Sequence, residues 1–288
     1  MIIVGGSASS KLAARVARLL SCPLVNSEVA RFPDGEYYVR VNHDFKDEHA
    51  VVVQSTCYPQ NDNYIELFLL LDAIKDMGAK RVTAVVPYFG YARQDKRFKP
   101  GEAISVRTMC KLIERAGADD VITIDIHEDE TMANFAIPAY NLTAMSLIGR
   151  YVARLDLRDP VVLGGDQGAL TRAKRAAAEF MADYDYLYKT RQTSTKVAMM
   201  PKRLDVSGRD VVIVDDIIST GGTVIEAIKV LKKQGARAIY VACTHPVLVG
   251  NSLQKIIAAG ARKVMATDTI EHKVSVISVA PLIAESIR

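Results

Sequence analysis

An internal echo constrains this chain more than any single motif. Ile3-Val-Gly-Gly, followed by a helix rich in Ala and Arg, returns as Val162-Leu-Gly-Gly followed by another such helix. Gly78-Ala-Lys-Arg, a strand and Pro87 are matched by Gly235-Ala-Arg, a strand and Pro246, and Gly117-Ala-Asp-Asp-Val is matched by Gly260-Ala-Arg-Lys-Val. Gly-Ala is a common signal at the end of a helix, but three matches in the same order imply duplication, with the second copy starting near Val161. The expected units are residues 1–148 and 149–288, with the last residues able to pack back on the first half.

Between the echoes, short apolar runs alternate with helical periods, the pattern of mainly parallel sheets flanked by helices. The fold class is therefore α/β. Strands are expected at Ile2 to Val4, Val51 to Val53, Val82 to Val86, Val121 to Asp125, Val161 to Leu163, Val211 to Asp215, Ile239 to Cys243 and Val274 to Val279. Leu12, Val16, Leu19 and Leu20 predict the apolar stripe of the first helix, and Val224, Ile228 and Leu231 that of a later one.

Composition narrows the functional class. The 288 residues are 49% apolar and 24% charged, which excludes a disordered or fibrous chain. No apolar run approaches the roughly 20 residues of a membrane span. The N-terminus reads straight into a strand without a basic leader, so a cytoplasmic location is expected. Cys22, Cys57, Cys110 and Cys243 form no C-x-x-C pair and read as core residues of a reducing compartment. A net charge of +4 suits an anionic ligand without arguing for nucleic acid.

The sharpest motif is Val211-Val-Ile-Val-Asp215-Asp216-Ile-Ile-Ser219-Thr220-Gly221-Gly222-Thr223, which runs directly into an amphipathic helix. A strand, a glycine loop and a helix start aim several N–H groups and the positive end of the helix dipole at one point, where a phosphate fits. The two acids do not favour that phosphate; they suit sugar hydroxyls or a metal. An Asx turn with Thr as helix cap would explain Ser219 to Thr223 but not the adjacent acids. The stretch resembles the ribose-phosphate loop of the type I phosphoribosyltransferase fold.

Other motifs precede it. Arg31-Phe32-Pro33-Asp34-Gly35-Glu36 lies between a helix and a strand. Arg93-Gln94-Asp95-Lys96-Arg97 leaves a strand and is rich in polyphosphate donors. In Thr123-Ile-Asp125-Ile-His127, the Asp and His at i, i+2 are expected on one side of a strand end, able to hold a divalent metal or touch a phosphate. Tyr186 to Leu204 contains five basic residues and no acid and reads as a loop. Gly164-Gly165-Asp166-Gln-Gly168-Ala169 is a further turn carrying an acid.

Taken in order, these motifs resemble the ribose-phosphate diphosphokinase (PRPP synthase) family, and the length and the Lys99-Pro-Gly-Glu segment are similar to its compact archaeal members. The resemblance covers nearly the whole chain and implies two phosphoribosyltransferase-like domains. It implies ATP contacts from Phe32, Asp34, Gly35, Glu36, Arg93, Gln94 and Asp95, and ribose 5-phosphate contacts from Arg191, Asp215, Asp216, Ser219, Thr220, Gly221, Gly222 and Thr223. It makes Lys189 and Arg191 the catalytic cations. Mg²⁺ is the implied cofactor, at His127, Asp166 and Asp125, although Gly165 stands where the family usually has Pro. No nucleic-acid or membrane partner is implied; a homo-oligomer is, with Phe32 serving a neighbouring subunit's adenine. A phosphoribosyltransferase that consumes PRPP and a catalytically silent family member are the competing readings.

Overall fold

A computed structural model describes residues 1–191, 197–201 and 204–288, apart from the side chains of 189–191 and 197–200. The chain divides into two compact units. The first is Met1–Thr143 with Thr269–Glu271 and Ser278–Arg288; the second is Ala144–Asp268 with His272–Ile277.

The first unit contains β1 (Ile2–Gly5), α1 (Ser10–Leu20), β2 (Leu24–Asn26), β3 (Glu28–Arg31), β4 (Tyr37–Arg40), β5 (His49–Val53), α2 (Gln60–Asp76), β6 (Arg81–Val86), α3 (Ser105–Arg115), β7 (Asp120–Ile124) and β8 (Ala139–Leu142). Its parallel sheet has the order β2-β1-β5-β6-β7-β8. Ala50 to Val53 are fully buried, as expected of a strand covered on both faces. The expected stripe of α1 is rotated: Leu12, Ala13, Val16 and Ala17 are buried, whereas Leu19 is 45% exposed. Alanines let the helix approach its neighbours closely, and Ser21 in the left-handed region ends it. β3 and β4 form a separate antiparallel hairpin.

The second unit contains α4 (Met145–Val152), β9 (Val161–Gly164), α5 (Leu170–Ala178), β10 (Asp183–Arg191), β11 (Val197–Pro201), β12 (Asp210–Ile217), α6 (Gly222–Lys233), β13 (Ala238–His245), α7 (Ser252–Ala259), β14 (Ala261–Thr267) and β15 (Ser275–Ile277). The sheet order is β11-β10-β9-β12-β13-β14-β15, parallel except for the β10–β11 pair. Val211 and Ile213 pack with Leu163, Val241 and Cys243, near α6 and α7. Val212 and Val214 pack on the other face with Met145, Ile148, Ala173 and Ala177. The last helix, α8 (Ala280–Ile287), belongs to the first unit, where it packs on α1.

The chain turns outward in both directions from the β1–β5 pair in one sheet and from the β9–β12 pair in the other. A parallel sheet opens its ligand crevice at the carboxyl ends of strands at such a switch point. All four cysteines are free, and burial raises the thiol pKa of Cys57, Cys110 and Cys243.

Candidate functional site

The apolar run of β12 ends in Asp215 and Asp216 at the second unit's switch point. Asp215 is in register with Cys243 and so shares the α6–α7 face. Asp216 takes the opposite face, 4% exposed, with its Oδ2 3.5 Å from the Arg172 guanidinium of α5. The Asp216 amide donates to Asp215 Oδ1 at 2.9 Å. Burial, reinforced by the side-chain hydrogen bond and charge of Asp216 and opposed by its amide, pushes the Asp215 carboxyl up to about 8.

Beyond the acids, Gly221 adopts φ +75, and a Cβ there would stand 2.9 Å from Ile256 Cδ1. Only glycine meets both conditions without strain. Helix α6 then starts at Gly222, with no side-chain hydrogen bond from its cap residue. Thr223 lies inside the helix, so the alternative in which a threonine caps it is not realised. The first amides of α6 and the positive end of its dipole form an environment that suits an anion.

The β9 turn meets this loop. Gly164 is paired with Val214, and a Cβ on Gly164 would come within 2.8 Å of the Ala169 carbonyl. A Cβ on Gly165 would lie 3.2 Å from Asp215 Oδ2. Asp166 is exposed, and its Oδ1 accepts the Ala169 amide at 3.1 Å, which closes the turn into α5. The structure thus gathers Asp166, Asp215, Asp216 and residues 219–223 at one sheet edge. Arg172 escaped the sequence reading; the signal was a cation in the first turn of the helix that follows an acidic turn.

Lys189 and Arg191 require a correction. They lie on a strand rather than a loop, with Lys189 opposite Met199 and Arg191 opposite Val197. Tyr184, Tyr186 and Tyr188 alternate through this segment, a strand signal outweighed in the reading by the basic residues. The two side chains lie outside the described residues.

In the first unit, Phe32 to Glu36 form the tip of the β3–β4 hairpin. The Phe32 amide donates to the Glu36 carbonyl and the Gly35 amide to the Phe32 carbonyl, both at 2.9 Å, while Asp34 Oδ1 accepts the Glu36 amide at 3.3 Å. Gly35 supplies the φ of +98 that this turn needs. Phe32 is 50% exposed, its ring edge-on to Tyr38. Arg93, Gln94 and Asp95 follow β6 through Gly90, where a Cβ would come within 2.5 Å of the Thr56 carbonyl oxygen. Gln94 Nε2 donates to the Lys96 carbonyl, and Asp95 stands 3.6 Å from the Lys96 ammonium.

Asp125 and His127 do not share a strand face. β7 ends at Ile124, and Asp125 turns away with φ +40, its amide bonded to the Leu142 carbonyl at 2.7 Å. Alternation lapses at that turn. Asp125 is 6% exposed and His127 is half-buried. Among the described residues, no three His, Cys, Asp or Glu side chains form a metal-holding group. The donors assigned to Mg²⁺ include two carboxylates, the hard oxygen ligands that this ion takes alongside water and phosphate.

The first unit's equivalent crevice is filled differently. Glu66, 1% exposed, accepts the Ser7 amide at 2.7 Å and the Ser7 hydroxyl, and Gln54 Oε1 accepts the Ala8 amide at 3.0 Å. The chain's own side chains satisfy donors that follow β1.

Residues 1–117 match the N-terminal domain of ribose phosphate pyrophosphokinase, and residues 135–281 match the phosphoribosyl transferase domain. The chain is 48% identical to a ribose-phosphate pyrophosphokinase of Methanothermobacter thermautotrophicus over 99% of both chains. It is 39% identical to one from Sulfurisphaera tokodaii over the whole of both. The crystal structure of phosphoribosylpyrophosphate synthetase from Mycobacterium smegmatis superimposes with a TM-score of 0.89 at 32% identity, covering 100% of this chain and 97% of that one. Among the described residues no helix is long and apolar enough to cross a membrane. The matched domains, the relatives along the full length and the duplicated parallel sheets agree: the chain belongs to the ribose phosphate pyrophosphokinase family.

Proposed function

We propose that the chain moves the diphosphoryl group of ATP to ribose 5-phosphate, giving PRPP and AMP. The C1 hydroxyl oxygen bonds to the β-phosphorus, the bond from that phosphorus to the α–β bridging oxygen breaks, AMP leaves with the oxygen, and the hydroxyl proton is released. The observation that carries the reading is the glycine-entered start of α6 beside Asp215 and Asp216. Its amides suit the 5-phosphate, and its acids suit the ribose hydroxyls as acceptors.

Phe32, Asp34, Gly35, Glu36, Arg93, Gln94 and Asp95 hold ATP. Lys189 and Arg191 supply positive charge where the transferring oxygens gain negative charge, the main source of catalysis in phosphoryl transfer. Asp125 and His127 in the first unit and Asp166 in the second are the residues that would serve Mg²⁺, which neutralises and orients the nucleotide phosphates when bound. The enzyme works in the cytoplasm as a homo-oligomer in which Phe32, half-exposed on its hairpin, meets a neighbour's adenine. A phosphoribosyltransferase would share the α6 loop but has no use for a first unit of the pyrophosphokinase type.

Incubation with ATP, Mg²⁺ and ribose 5-phosphate, followed by chromatography, tests the reading. AMP and PRPP should appear in equal amounts. Formation of ADP in place of AMP, or turnover only with PRPP and a base, overturns it.

A further inference from the structure

Asp216 is a buried acid at the end of β12, and an ionised carboxylate with so little water needs a cation or several donors. The Arg172 guanidinium is 3.5 Å away, its side chain 22% exposed. Arg172 stands in the first turn of α5, the helix entered from the turn that Asp166 closes by accepting the Ala169 amide. One ion pair therefore fastens the start of α5 to the end of β12. It acts on the face that Asp215 does not occupy.

We propose that Arg172 is a positioning residue of the ribose 5-phosphate site: it holds the Asp216 side chain in place at the carboxyl end of β12 and fixes the Asp166 turn against the 219–223 loop. The inference rests on the assignment of that loop to ribose 5-phosphate. A planar guanidinium sets direction as well as charge, which an ammonium does not.

Steady-state kinetics of full-length Arg172→Gln, Arg172→Lys, Asp216→Asn and the Arg172→Gln/Asp216→Asn double variant test it, with each substrate varied in turn and thermal melting recorded alongside. Arg172→Gln should raise the KM for ribose 5-phosphate tenfold or more while that for ATP stays within twofold. Arg172→Lys should recover part of the loss; should the Gln variant fail to fold, a rise of about threefold in the Lys variant alone carries the test. Residues that act as a pair are non-additive, so the double variant should be no worse than Asp216→Asn. An unchanged KM for ribose 5-phosphate in Arg172→Gln overturns the proposal, as do penalties that multiply in the double variant. Equal rises for both substrates with a lowered Tm mark a packing role and overturn it too. If Asp216→Asn itself spares ribose 5-phosphate, the loop assignment falls, an outcome read independently of any Arg172 variant.

Discussion

The Asp216 amide donates to the Asp215 carboxylate at 2.9 Å, so two consecutive acids are hydrogen-bonded although their side chains leave β12 on opposite faces. That amide favours the charged form of Asp215, but burial and the Asp216 side chain outweigh it. Burial and the neighbouring acid raise its carboxyl from 3.8 to about 8. Between those values the folded state keeps a proton that the unfolded chain releases, so this group's contribution to stability falls as pH rises through the window.

Asp215→Asn should therefore flatten the pH dependence and melt higher than the wild type at pH 8 without ligands. A gain of about 1 kcal/mol corresponds to roughly 2–4 °C for a domain of this size. Melting curves from pH 5 to 8.5 check it. A constant difference between the two proteins across that range would place Asp215 among ordinary carboxylates.

Gly221→Ala forces a side chain into the left-handed region and against Ile256. The conformation costs about 1–2 kcal/mol, and the steric contact adds to it. The expected result is a lower Tm and a KM for ribose 5-phosphate raised about tenfold, with ATP affected less than twofold. Titration calorimetry with each ligand separately checks the split. Wild-type affinity for ribose 5-phosphate in the variant would detach the phosphate from α6.

Lys189→Ala should lower kcat about a hundredfold or more while ATP affinity changes little, because the ammonium acts on charge that develops in the transition state. Single-turnover measurements with equilibrium binding of ATP separate the two effects. Weakened ATP binding at near-normal kcat would make Lys189 a ground-state anchor.

Phe32→Ala should raise the KM for ATP and spare ribose 5-phosphate, since stacking on a base is worth about 1–3 kcal/mol. Mixing this variant with Lys189→Ala under subunit exchange should restore activity, because some sites then draw Phe32 and Lys189 from different chains. Demonstrated exchange without restored activity would confine Phe32 to its own chain.

The parallel strands were legible because continuous runs such as Val211 to Val214 leave little choice, and the glycine loop because Gly221 and Gly222 stand at a strand-to-helix turn. β3 and β4 were hidden: their largely exposed residues carry no apolar run. Asp125 misled because periodicity is blind to a positive φ one residue past a strand. Leucine spacing in α1 points to Leu19 and Leu20, whereas Ala13 and Ala17 share the buried face with Leu12 and Val16. The place of Arg172 after an acidic turn marks it as a candidate, but its pairing with Asp216 lies 44 positions along the chain, a separation that only the fold closes.

The assignment of α8 to the first unit carries a consequence for synthesis. Residues 1–143 are made before the second unit, but the helix that packs on α1 is made only after it. Until then α1 lacks that neighbour. The first unit of the newborn chain must wait for a segment made after the second, so a product that stops short of α8 leaves the first unit incomplete however much of the second is made.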